Sequence, residues 1–298
     1  MTTIGIIAAS CQPEPERLRA GIAVLEEQGF RVKVGERNFE QRPHTPEEDA
    51  LRALELERMF LDPEVDAVLC ARGGYGVARL LDYVDWDKLA GVEKPFCGYS
   101  DITTLHGILA RQVPRLRRAY GPMAACRMVE HRSPRAQQLY SFLRGEGLGN
   151  VLEDAADEMR VIHGGAAEGP VTGGCLCLVV STLGTPYELD TDGKILILED
   201  INEESRRVDR YLTHLKHAGK LDGVVGVIAG QTFCLPDEKD PMGTQDEILL
   251  RYLEPLGVPL ILDAPIGHVD ELLTVPVDTP AVLDADAAGG PSLVVQSG

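Results

Sequence analysis

The 298-residue chain carries 29 basic against 47 acidic residues, a formal charge of −18 at pH 7 with histidines neutral. Such a field repels nucleic acid and anionic membranes, and no concentrated basic patch offsets it, so both are excluded as partners. The densest basic run, Arg115-Leu116-Arg117-Arg118, is short and reads as solvated surface.

A hydrophobic content of 44% and a charged content of 26% belong to an ordinary globular protein. No uninterrupted apolar stretch reaches the roughly 20 residues of a membrane span. The first residues have no basic segment followed by a signal-length apolar core, so a cytoplasmic protein is expected. Seven scattered cysteines, an odd count, suit a reducing compartment. Cys175-x-Cys177 has no second cysteine pair to complete a zinc site, so no metal is expected there.

In chain order, Thr3 to Ala8 reads as a buried strand. Pro13 to Gly29 then carries Leu18, Ile22 and Leu25 at helical spacing and closes on a glycine cap. Phe30 to Val34 is a second strand, and Thr45-Pro46-Glu47-Glu48 opens a helix with a threonine cap, an early proline and acids in its first turn. Val65 to Ala71 and Lys94 to Gly98 are further strands, the latter followed by a helix from Asp101 to about Arg111. This alternation predicts an α/β fold with a parallel, flavodoxin- or Rossmann-like sheet over residues 1–150.

From about Glu146 to Gly169 the periodicity fades, and residues 151–167 are read as a linker. The second half, 168–298, alternates strands and helices (Gly169–Thr172, Leu176–Leu183, Lys194–Leu198, Ser205–Ala218, Gly223–Ala229, Thr244–Glu254). It ends in short strands at Pro259–Leu262, Leu272–Val275, Ala281–Leu283 and Leu293–Val295, predicting a mixed α/β domain.

Two loops fall where ligands sit in parallel sheets, beyond the carboxyl ends of strands. In Lys94-Pro95-Phe96-Cys97-Gly98-Tyr99-Ser100-Asp101, an apolar strand runs into a serine and a helix follows at once. That turn presents a hydroxyl beside free helix amides, as an acyl-transfer nucleophile needs. Ile102 stands where the elbow of α/β-hydrolases has its second glycine, and Ser100 also fits a plain helix N-cap. Arg72-Gly73-Gly74-Tyr75-Gly76 fits an amide nest for a carboxylate or oxyanion. A tight turn fits it equally well; dinucleotide and P-loop fingerprints fail at Arg79 and for want of Gly-Lys-Ser/Thr.

A nucleophilic serine needs a base and an orienting acid. His268, in the loop Pro265-Ile266-Gly267-His268, and Glu199, closing the apolar run Ile195–Leu198, are the candidates. Asp200 and Glu203 are alternatives to Glu199. His214 and His217, three apart on a helix, have no evident third ligand.

The segments Arg72–Gly76, Lys94–Thr103, Gly173–Leu176, Leu183–Tyr187, Leu198–Asp200, Val208–Arg210 and Pro265–His268 together resemble the LD-carboxypeptidases, in that family's order and over most of the chain. The resemblance implies a Ser100–His268–Glu199 triad split between an N-terminal α/β domain and a C-terminal domain, in a homodimer without a cofactor. It implies a muropeptide substrate, cut between an L-configured centre of the diamino acid and the terminal D-alanine. The amides of Gly74 and Asp101 are the oxyanion-hole candidates, and Arg72, Gly73 and Tyr75 the substrate-binding ones. Departures from the family pattern are Tyr120-Gly121-Pro122-Met123 in place of His-Gly-Pro-Met, Ser205-Arg206-Arg207 in place of Pro-Tyr-Arg, and Pro276-Val277-Asp278 in place of Pro-x-Gly. Two other readings stay open: a microcin C7 immunity-type peptidase cleaving aminoacyl-nucleotide analogues, and a non-catalytic small-ligand binder. The single tryptophan, Trp86, and 5% aromatic content disfavour the adenine stacking that the first would use.

Overall fold

A computed structural model describes residues 1–39, 42–126, 129, 132–231, 233–234 and 242–296. The chain divides into two compact units, residues 1–146 and 147–298.

In the first unit, β1 (Thr3–Ile7), β2 (Arg31–Val34), β3 (Ala67–Cys70), β4 (Pro95–Cys97) and β5 (Arg117–Tyr120) form a parallel sheet ordered β2-β1-β3-β4-β5. This is the flavodoxin order, with its switch point between β1 and β3. β1, β3 and β4 are buried throughout, as strands covered on both faces must be. Helix Pro15–Glu27 starts with proline in its first turn and buries Leu18, Gly21, Val24 and Leu25. Gly29, at φ +85°, takes the left-handed turn that closes it. Helix Pro46–Leu61 is capped by the Thr45 hydroxyl, which accepts from the Glu48 amide at 3.3 Å.

One expectation changes in this unit. Arg117 and Arg118 belong to β5, where Arg117 is exposed as expected of a solvated run and Arg118 is not. Arg118 is buried and donates to the Val113 carbonyl (3.3 Å), while Arg117 bonds the carbonyls of Gly145 and Glu146 and lies over the Phe142 ring. The long apolar stems of these arginines let them serve as strand residues while their heads reach polar partners.

In the second unit, β6 (Arg160–His163), β7 (Ala166–Cys175), β8 (Ile195–Glu199), β9 (Gly226–Gly230), β10 (Leu260–Ala264), β12 (Pro280–Asp284) and β13 (Ser292–Val295) form one sheet, ordered β13-β12-β7-β8-β9-β10-β6. A further short strand, β11, spans Val275–Val277. The β7-β8-β9-β10 centre is parallel and both flanks are antiparallel, the mixed architecture expected. Helices Leu176–Ser181, Ser205–His217 and Gln245–Leu253 pack Leu176, Val208, Leu212, Ile248 and Leu249 with Leu196, Leu198 and Val227 of the sheet. Thr244 and Glu247 close a reciprocal capping box on the last of these helices.

Residues 151–167, expected to be a linker, carry structure of their own. Glu153–Glu158 form a 3-10 helix, β6 pairs with β10, and the Asn150 side chain accepts from the Leu152 and Leu293 amides. β6 is largely exposed, so it lacks the apolar pattern that marks a buried strand. No helix among the described residues is long and apolar enough to cross a membrane.

Gly21 sets how closely its helix approaches the following chain: a Cβ there would lie 1.8 Å from the Ala124 carbonyl oxygen. Gly21→Ala is expected to lower the unfolding free energy by about 1–3 kcal/mol. Gly91→Ala, with open space around its position, is expected to stay within about 0.5 kcal/mol. Urea midpoints of the two variants check this.

Candidate active site

The chain leaves β4 through Gly98-Tyr99 and turns at Ser100 into a 3-10 turn, Ser100–Ile102, that continues as helix Thr103–Gln112. Ser100 has φ +65°, the left-handed region, where a side chain with a Cβ is strained. The surroundings hold it there. Its amide donates to the Tyr120 hydroxyl (3.1 Å), and the Thr103 hydroxyl donates to its carbonyl (2.7 Å). Gly73 lies against it: a Cβ on Gly73 would sit 2.8 Å from the Ser100 Cβ and 3.1 Å from its Oγ. Neither helical segment here is capped by the Ser100 side chain, so the N-cap reading of this serine does not hold.

Behind the turn, His106 bonds the Gly98 carbonyl through Nε2 at 2.9 Å, among the rings of Phe96 and Tyr120. Burial, aided by the charge of Arg118, pushes this imidazole down to about 4. It is therefore a neutral ring donating to the carbonyl that precedes the serine turn.

The glycine loop after β3 is fixed against the same turn. Gly74 and Gly76 have φ of +121° and +117°, conformations that glycine takes without strain. The buried Asp101 carboxylate accepts from the Ser10 hydroxyl (2.6 Å) and the Val77 amide (3.0 Å), tying together the loops after β1, β3 and β4. Its side chain is thus engaged within the fold. Arg52 adds a second brace. It is buried and ion-paired with Asp49, and it donates to the carbonyls of Ala9, Ser10 and Gly76. Arg72 is exposed and reaches the Gln12 carbonyl (3.4 Å), while Tyr75, 61% exposed, stands edge-on to His44.

In the second unit, Glu199 closes β8 and is fully buried. Its Oε2 accepts from His268 Nδ1 at 2.8 Å and from the His268 amide at 3.3 Å. Two glycines make room for the carboxylate: a Cβ on Gly267 would lie 2.1 Å from the Glu199 Cδ, and one on Gly230 2.7 Å from its Cβ. Because Nδ1 faces a carboxylate, the ring presents Nε2 as its basic nitrogen. Burial lowers the affinity of this imidazole for a proton, but the hydrogen bond and charge of Glu199, with the charge of Asp200, outweigh it. The net result lies above the ordinary histidine value.

Of the three candidate acids, Glu199 is the one hydrogen-bonded to His268. Asp200 turns instead to Cys175 and to the Cys177 amide, and Glu203 pairs with Arg207. His214 and His217 are exposed. The first unit therefore sets Gly73 against Ser100, with Asp101 next in the chain, while Gly74 faces Cys11 and Ser10 and Arg72 and Tyr75 lie at the exposed edge of the loop. The second unit joins Glu199 to His268. Arg52, Asp49 and His106 went unnoticed in the sequence: Arg52 acts on carbonyls 24 to 43 residues away along the chain, and Asp49 and His106 sit in helices that give no local signal of their role.

Residues 4–121 match the family model for the LD-carboxypeptidase N-terminal domain, and residues 168–283 match that for the LD-carboxypeptidase C-terminal domain. The chain belongs to the LD-carboxypeptidase family. By that membership it is a serine-type carboxypeptidase, a hydrolase. It is 35% identical over 284 residues to a probable murein peptide carboxypeptidase of Bacillus subtilis (strain 168), covering 95% of this chain and 88% of the relative. The crystal structure of a muramoyltetrapeptide carboxypeptidase from Oxalobacter formigenes superposes with a TM-score of 0.81 at 26% identity, over 99% of each chain. An MccF-like protein from Bacillus anthracis str. Ames shares the fold, with a TM-score of 0.83 at 24% identity over 100% of this chain and 97% of the other.

The Glu199–His268 pair has a readable signature. His268 is expected to titrate above 6.5 in NMR spectra of the folded protein, and Glu199→Gln to move that midpoint down. A histidine raised in this way stabilises the fold fully below its unfolded value, about 6.5. That contribution is lost as pH rises through the folded value.

Proposed function

We propose that the protein is a serine LD-carboxypeptidase that removes the terminal D-alanine from murein tetrapeptides by a Ser100–His268–Glu199 triad. The observation that carries this reading is the left-handed backbone of Ser100 at the end of β4. A serine is held in that strained form where its hydroxyl must be presented, as in strand-to-helix nucleophile turns. Three further facts support it: the Glu199–His268 hydrogen bond, the side-chain-free Gly73 beside the Ser100 hydroxyl, and the names of the Bacillus murein peptide carboxypeptidase and the Oxalobacter muramoyltetrapeptide carboxypeptidase. The reading includes a homodimer working in murein-peptide recycling, both carried from the family resemblance, and a cytoplasmic location, carried from the sequence.

In this mechanism the Ser100 Oγ attacks the carbonyl carbon of the L,D-amide while its proton passes to His268 Nε2. Glu199 holds the ring in the required tautomer and stabilises the imidazolium. The oxyanion is received by the amides of Gly74 and Asp101, each worth roughly 3 kcal/mol in the transition state. The imidazolium then protonates the departing amine, D-alanine leaves, and water, deprotonated by the same ring, releases the shortened peptide from the serine. Arg72 and the Gly73 amide are assigned to the substrate's free carboxylate, and Tyr75 to a face of the peptide.

Ser100→Ala is expected to keep the fold and lower kcat/KM for D-alanine release by at least about a thousandfold. Chromatographic assay of tetrapeptide conversion measures it, and an unchanged turnover rate removes Ser100 from the role. Ser100→Gly is expected to be equally inactive yet about 1 kcal/mol more stable than Ser100→Ala, because glycine relieves the left-handed strain. Since the base must be neutral, the acid limb of the kcat/KM profile is expected to fall at a pH above the ordinary histidine value of about 6.5. A limb near pH 4 would assign the base to another group.

A further inference from the structure

The sequence offered Cys175-x-Cys177 without a second cysteine pair. Folding supplies a different third donor. Cys175 ends β7, Cys177 lies in the first turn of helix Leu176–Ser181, and β7 runs parallel to β8 with Cys175 in register with Glu199. The next residue, Asp200, therefore arrives beside both thiols. The two Sγ atoms are 3.5 Å apart, and Cys175 Sγ is 3.5 Å from Asp200 Oδ1. All three donors lie within 4.8 Å of one another, and among the described residues no other group of three or more cysteine, histidine or acidic side chains meets that distance.

These spacings have chemical meaning. Tetrahedral zinc binds thiolate sulfur at about 2.3 Å and carboxylate oxygen at about 2.0–2.2 Å. Two such sulfurs sit about 3.8 Å apart, and a sulfur and an oxygen about 3.5 Å apart. The observed separations already approximate two edges of that tetrahedron. Asp200 is pre-oriented as well: its Oδ2 accepts from the Cys177 amide at 2.8 Å, and Oδ1 accepts from the Ile201 amide at 2.9 Å while facing the sulfur. Cys175 and Asp200 are buried, whereas Cys177 is half-exposed and gives an ion a way in.

We propose that Cys175, Cys177 and Asp200 form a binding site for one thiophilic divalent cation of the Zn2+ or Cd2+ class. Binding converts two thiols and one carboxylate into a dithiolate–carboxylate complex and releases two protons to the buffer. The fourth coordination position goes to water. Soft sulfur donors select such ions over Mg2+ and Ca2+. The proposal rests on donor geometry alone and stands or falls independently of the peptidase reading.

The test is a titration of the full-length protein with Cd2+, followed by thiolate-to-metal ultraviolet absorption, and equilibrium dialysis against Zn2+, both with a phosphine reductant to keep the thiols reduced. One equivalent is expected to bind, with Mg2+ failing to compete. Cys177→Ser, at the half-exposed position, is expected to weaken binding by more than about a hundredfold, beyond the loss typical of groups that merely orient ligands. Asp200→Asn keeps an acceptor for the Cys177 amide but loses the charged ligand, and is expected to weaken binding while far-UV circular dichroism stays unchanged. The triple variant Cys11→Ser/Cys126→Ser/Cys234→Ser is expected to bind as the wild type does. Absence of binding by the wild type overturns the proposal. So does binding that survives in folded Cys177→Ser, or binding lost in the triple variant.

Discussion

A serine held in a left-handed backbone conformation is the constraint around which the first unit is organised. Such a residue costs on the order of 1–3 kcal/mol and persists only where its surroundings over-determine it. Here the over-determination is visible group by group: the Tyr120 hydroxyl on the Ser100 amide, the Thr103 hydroxyl on its carbonyl, and a neighbour, Gly73, with no side chain to push it away. Asp101 and Arg52 then extend the bracing to the loops after β1 and β3. Each of these braces is buried, so losing one partner leaves an unsatisfied polar or charged group behind.

The second unit solves a different problem, which is to bury a carboxylate at the end of a strand. Glu199 has no exposed surface and would carry a severe desolvation cost without partners. It finds two on His268, the backbone amide and the ring, and the chain omits side chains at Gly230 and Gly267 to admit it. The same hydrogen bond that makes the carboxylate tolerable fixes the tautomer of the imidazole.

Much of this was legible wherever the cause is local. The Thr45 cap, the Pro46 opening of the same helix, the left-handed Gly29 and the Thr244 helix start all depend on neighbours a few residues away, and all are present. Ser100, Glu199 and His268 could be named because strand ends and Pro/Gly loops mark them. What escaped was long-range or disguised. β5 is written partly in arginines, β6 has too little burial to show a pattern, and Arg52 sits among helix residues that give no hint of the three carbonyls it gathers. The carboxylate beside Cys175 and Cys177 follows the end of another strand, which spacing along the chain cannot reveal.

All four strand pairings in the first unit are parallel, and β1 lies between β2 and β3. Among the described residues no hairpin starts this sheet cheaply, because parallel neighbours need long crossovers. Ile4 acquires its partner on one side only when Ala67, far along the chain, has emerged. Until then an apolar strand waits with open edges, so assembly is governed by loop closure and is slow beside that of a helical bundle. During synthesis this interval is the period of greatest vulnerability to aggregation.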